Sequence, residues 1–173
     1  LSKFSGVQLK KMLTGKNVRC GISIGGREHT IGGVTTPKDI ETAMQLLYLN
    51  IMEPRFDNEE FMTGINQIKA ILPNLEKQPM MQFQKHANAT LYGNHERRQV
   101  INAEILEKAN IKDVENASRR LFGNVAGATL YVVGNVDKET LKPLVEKYVA
   151  SLPGGKKGAK AIDHKEYIVT GEV

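Results

Sequence analysis

Apolar positions recur with a helical period over most of this chain and with a strand period near its start and end. In the stretch Val7 to Leu13, Leu9, Met12 and Leu13 step along one side of a short helix that Gly15 can stop. From Val18 the period changes to two, with Val18, Cys20, Ile22 and Ile24 on one face; Gly25-Gly26 can turn the chain and residues 28–34 can return antiparallel. The clearest helix follows in TTPKDIETAMQLLYLNIMEP. Thr36 is placed to cap it, Pro37 suits its first turn, and Asp39 can supply the carboxylate of a capping box. Ile40, Ala43, Met44, Leu47 and Ile51 share a face, and Leu46 and Leu49 widen the stripe enough to predict cover on more than one side.

Asp57 to Glu60 repeats the entry device for a second helix, in which Phe61, Ile65, Ile68 and Leu72 align and which Pro73 ends or kinks. Pro79 opens a third helix through Leu91, closed by Gly93-Asn94. Shorter helical patterns occupy 103–108 and 112–121, the latter stopped by Gly123. Ala128 to Val133 reads as a buried strand. It leads through Gly134-Asn135 into a helix capped by Asp137, with Leu141, Leu144, Val145, Tyr148 and Val149 inward and Pro153-Gly154-Gly155 as its stop. The order of elements predicts an α+β layer: a mostly antiparallel sheet with helices packed on one face, filling residues 1–153. Residues 154–163 have linker composition, and 164–173 read as a strand of this sheet or of a following domain.

With 173 residues, 40% hydrophobic and 25% charged, the chain is suited to one sizeable core. It contains no apolar run long enough to span a bilayer, and LSKFSGVQLKK lacks the apolar stretch of a signal peptide. Starting at Leu1, the chain reads as a piece of something longer, truncated at its N-terminus. The single cysteine, Cys20, excludes an internal disulfide and leaves the compartment open, cytoplasmic or periplasmic. A net charge of +5 raises nucleic acid as a partner. The basic residues are scattered, however, with small clusters at Arg97-Arg98, Arg119-Arg120 and Lys156-Lys157-Lys160, and no aromatic platform accompanies them.

One stretch, GNHERRQ at 93–99, approaches a metal motif. His95 and Glu96 open H-E-x-x-H, but Gln99 stands where the second histidine must be, four residues on, for two rings on one helix face to meet one ion. Tyr92-Gly93-Asn94 before it reads as a turn, so the helix is missing too. The inverted form, H-x-x-E-H, does not occur, and His29, His86 and His164 are isolated from one another. Cys20 has only Arg19 as a nearby cation, a weak setting for a thiol nucleophile. In VVGNVD one glycine stands where a dinucleotide fingerprint needs three, and Asp137 as a helix cap accounts for the turn.

Residues 92–153, with Gly93-Asn94-His95, Val133-Gly134-Asn135-Val136-Asp137 and the run from Tyr148 to Pro153, form a pattern that resembles the pitrilysin/insulinase family of zinc metallopeptidases. TTPKDIETAMQLLYLNIMEPRFDNEEF (35–61) resembles the central helices of the same repeated domain, and the likeness is greatest to long bacterial, periplasmic-peptidase-like members. The departure is Glu96 in place of a proline. The resemblance implies a LuxS/metallohydrolase-like fold. It places His95 in a family loop, and it implies a zinc site formed by an inverted H-x-x-E-H on an earlier helix with a glutamate on the helix equivalent to 58–72. Here that helix position falls at Ala70-Ile71-Leu72, and no Asp or Glu occurs from Phe61 to Leu75.

The resemblance therefore implies a non-catalytic repeat, with no catalytic, cofactor or metal residue of its own and zinc held elsewhere in the parent protein. It would help enclose a peptide substrate alongside other domains of the chain or a sister subunit. The alternative is a structural or interaction protein derived from an inactive family member. Neither nucleic acid nor a membrane span belongs to this expectation, and the cell envelope is the favoured compartment.

Overall fold

The computed structural model describes residues 1, 3–155, 157–158, 160–165 and 167–171. They fall into two compact units, Leu1–Arg55 with Glu115–Ala159, and Phe56–Val114 with Lys160–Val173.

The first unit begins with α1 (Gly6–Met12), whose entry is a capping box: the Ser5 hydroxyl accepts from the Gln8 N–H, and the Gln8 side chain accepts from the Ser5 N–H. Strands β1 (Val18–Ile24) and β2 (His29–Thr35) pair antiparallel, from Val18 opposite Thr35 to Ile24 opposite His29, as the alternation predicts. The Gly25 N–H donates to the Glu28 carbonyl at 2.9 Å and closes the turn. Gly33 is required by the pairing, because a Cβ there would lie 1.7 Å from the Arg19 carbonyl oxygen.

Helix α2 (Ile40–Met52) buries Ile40, Met44 and Leu46, and Val18 is buried at the start of β1. Asn50 is buried as well; its amide donates to the Leu46 carbonyl at 2.8 Å and to Cys20 Sγ at 3.7 Å, tying helix to strand. The entry to α2 differs from the predicted box. A 3-10 turn, Pro37–Asp39, precedes the helix, and Thr36 makes no side-chain cap. Its hydroxyl donates instead to Asp39 Oδ2 (3.1 Å), and the same oxygen accepts from the Asn17 N–H (3.0 Å). The carboxylate thus anchors the loop before β1.

The predicted strand over 128–133 does not form: these residues have no regular secondary structure, and the sheet of the described residues has two strands. Tyr131 and Val133 are 82% and 98% exposed, so the run is not buried either. The physical reason is pairing. The run lies between two helices in sequence, α6 (Ile111–Phe122) and α7 (Lys138–Leu144), with no local hairpin partner, and among the described residues no strand edge hydrogen-bonds to it. The architecture is therefore α+β with a smaller sheet than the sequence predicts. Beyond it, Asp137 caps α7 by accepting from the Thr140 N–H at 2.6 Å. The helix continues as a wider turn, Val145–Val149, in which Ala150 N–H reaches the Val145 carbonyl five residues back.

In the second unit, Asp57 caps α3 (Asn58–Glu76) by accepting from the N–H groups of Glu59 and Glu60 at 3.0 and 3.3 Å. Pro73 does not end this helix, which runs on to Glu76. Helix α4 (Pro79–Tyr92) ends at Gly93 and Asn94, both left-handed with φ of 58° and 59°, and α5 (Ala103–Lys108) follows. Leu72 and Leu106 are the buried apolar residues of this unit among those described. The described part of 164–171 has no assigned strand; residues 166, 172 and 173 of the predicted terminal strand lie outside the described residues. Val169 N–H donates to the Leu91 carbonyl at 2.7 Å.

Candidate functional site

The region singled out by sequence lies after α4. The left-handed pair Gly93 and Asn94 turns the chain, and Glu96–Arg98 forms one 3-10 turn, so His95 and Gln99 do not sit on an α-helix. His95 caps that turn. Its Nδ1 accepts from the Arg97 N–H at 3.2 Å, and its Nε2 lies 3.1 Å from the His164 carbonyl oxygen. A carbonyl oxygen only accepts, so Nε2 carries the proton and the ring is the neutral Nε2–H tautomer. Both ring nitrogens are thereby engaged within the protein, leaving no lone pair for an ion.

His95 and His86 line a cleft of about 280 Å³ with Lys85, Asn88, Arg98 and Glu104. Asn88 donates to the Arg98 carbonyl at 2.8 Å, and the Arg98 guanidinium lies over the Tyr92 ring, 4.6 Å from its centroid. Glu104 is occupied by Lys108 at 2.6 Å, a contact that lowers its pKa and raises that of the lysine. These contacts are the ordinary fastening of a helix end and a loop. The position of the third zinc ligand implied by the resemblance holds Ala70, Ile71 and Leu72, and Leu72 is buried. Residues here do not fit a zinc site, and among the described residues no three His, Cys, Asp or Glu side chains converge on a possible ion.

The remaining candidates lie apart from that cleft. In the first unit, the His29 ring meets Phe122 edge to face, with centroids 6.3 Å apart. Cys20 is half-buried, and burial pushes its thiol pKa up while the Asn50 contact offsets part of the rise. A thiol in that state is a poor nucleophile. Asp137 spends both carboxylate oxygens on Thr140, whose hydroxyl reaches Oδ2 at 3.0 Å, so the Gly134-Asn135 turn is accounted for by capping.

One cluster was not legible in the sequence. Glu41 on α2 accepts from the Tyr148 hydroxyl at 2.9 Å and pairs with Lys147 at 3.1 Å, while Gln45 donates to the Tyr148 hydroxyl at 3.1 Å. Tyr148 and then Lys147 hold the Glu41 carboxyl below its usual range. Tyr148 reads in sequence as one more inward apolar position. Its hydroxyl finds partners about a hundred residues away, which no local pattern signals.

No family model matches this chain, and no curated protein matches it. Among solved structures, 98% of the chain matches part of the ferredoxin protease FusC, solved as a mutant in complex with Arabidopsis ferredoxin, with a TM-score of 0.75 and 15% sequence identity. The chain spans 18% of the length of that protein. A likeness at this identity shows a shared fold and nothing finer. Membership of the pitrilysin/insulinase family, implied by the resemblance at 92–153, is accordingly overturned: no family model supports it, and the shared fold does not carry it. Among the described residues no helix is long and apolar enough to cross a membrane.

Proposed function

We propose that this chain is a non-catalytic domain of a larger zinc-dependent peptidase, one that forms part of the wall enclosing a peptide or protein substrate while the metal and general base are supplied by residues outside it. The observation that carries this reading is the shared fold: nearly the whole chain corresponds to 18% of a protease solved with a protein bound. Two features of the chain support the non-catalytic part. Both nitrogens of His95 are engaged, and residues 70–72 are apolar. Its contribution to proteolysis is then mechanical, positioning extended substrate rather than moving a proton or polarising a bond.

The test compares peptide cleavage by the 173-residue chain with cleavage by the full-length protein in which it occurs. The reading predicts no turnover by the chain and chelator-sensitive turnover by the full-length protein. Full-length protein that is folded but cleaves nothing would favour a structural or interaction role instead.

A further inference from the structure

Beyond residue 160 the chain returns to the second unit and meets the corner that ends α4. Among the described residues of 160–171, two hydrogen bonds make that attachment: His95 Nε2–H donates to the His164 carbonyl at 3.1 Å, and the Val169 N–H donates to the Leu91 carbonyl at 2.7 Å. Leu91 lies in the last turn of α4, where carbonyls lack partners within the helix, and Val169 supplies the missing donor. Val169 also lies over Gly93, where a Cβ would be 3.5 Å from its Cγ2. The returning chain makes its own bend, with Asp163 accepting from the Lys165 N–H at 2.8 Å and from the Tyr167 hydroxyl.

Apolar burial adds almost nothing to this attachment. Every described residue from 160 to 171 is exposed, Ile162, Tyr167, Ile168 and Val169 among them. Lys165 is held in the left-handed region, with φ of 55°, which a residue with a Cβ disfavours. The docked state therefore rests on polar contacts and works against backbone strain, the mark of a segment that opens locally at low cost.

We infer that the segment carrying His164 and Val169 is a strap in reversible contact with the end of α4, and that His95 is the positioning residue that closes it. The ring does two jobs with separate atoms: Nδ1 caps the turn Glu96–Arg98, and Nε2–H holds the strap. Opening releases the Leu91 carbonyl together with the Nε2–H, which becomes a free donor on a side chain that lines the cleft. The inference stands on these contacts alone and does not need the peptidase reading.

Substitution separates the two jobs. An asparagine side-chain oxygen stands in for Nδ1 and keeps the cap, whereas a glutamine amide stands in for Nε2–H and keeps the strap bond. Amide hydrogen exchange read by NMR on the 173-residue chain, His95→Asn and His95→Gln tests the assignment. The expected result is exchange at the Val169 amide faster by roughly 3- to 10-fold in His95→Asn, the loss of one hydrogen bond, and by less than about 2-fold in His95→Gln. Exchange at Leu72, buried in α3, should be the same in all three proteins. Four outcomes would overturn the inference: a Val169 amide unprotected in the parent chain, one equally slow in all three proteins, one loosened by glutamine as much as by asparagine, or faster exchange at Leu72 as well, which would make His95 a support of the whole unit.

Discussion

Residues 18–35 and residues 128–133 both carry the β-branched side chains that suit a pleated surface, and only the first is a sheet. The hairpin carries its partner with it. Gly25 and Glu28 close its turn, Gly33 lets the two backbones approach, and α2 covers the face that bears Val18 and Cys20. The later run has helices before and after it, so any partner must come from far along the chain. Strand character is therefore a property of an edge and its neighbour, and side-chain preference alone does not create it.

This contrast can be broken most severely at its buried end. Met44→Ala removes a side chain that is 6% exposed beneath the hairpin, and a cost of about 2–5 kcal/mol is expected in urea unfolding. A cost below about 1 kcal/mol would mean that α2 does not hold the sheet. Gly33→Val forces a branched side chain against the Arg19 carbonyl and should cost about 1–3 kcal/mol, whereas Gly32→Ala, whose Cβ meets nothing within 4 Å, should cost far less. Equal effects at the two glycines would refute the register.

Acid provides a third probe. Asp39 is held below the usual carboxylate range chiefly by the Asn17 N–H, then by the Thr36 hydroxyl and nearby lysines. Its folded pKa is lower than its unfolded one, so its contribution is complete above the unfolded value and is lost as pH falls through the folded value. Stability should therefore decline below about pH 4, and Asp39→Asn should flatten that decline. The smallest effect belongs to the unpaired run: Val133→Asp, at a position 98% exposed, should change the stability of the chain alone by less than about 0.5 kcal/mol.

Local signals carried much of the fold. The hairpin, the helix from Ile40 and the Asp57 and Asp137 caps follow from period and capping residues that act within a few positions. The features that failed depend on distant residues. Thr36 and Asp39 have the spacing of a capping box, but Asn17 competes for the carboxylate and wins it. Pro73 reads as the end of its helix or a kink in it, and the helix runs past it to Glu76. At the candidate site, Tyr92-Gly93-Asn94 announced the turn that keeps His95 off an α-helix. The His164 carbonyl that occupies its ring lies far along the chain and was invisible in sequence. The family reading failed differently: short motifs such as Gly93-Asn94-His95 and Gly134-Asn135 mark turns that many chains need, and a fold can persist where family membership is not shown.

The claim that this domain encloses substrate without holding the metal is tested most directly by titrating zinc into the purified 173-residue chain by calorimetry, alongside His95→Ala. The account predicts no stoichiometric site in either protein. One zinc per chain, bound tightly by the parent sequence and lost in His95→Ala, would contradict it.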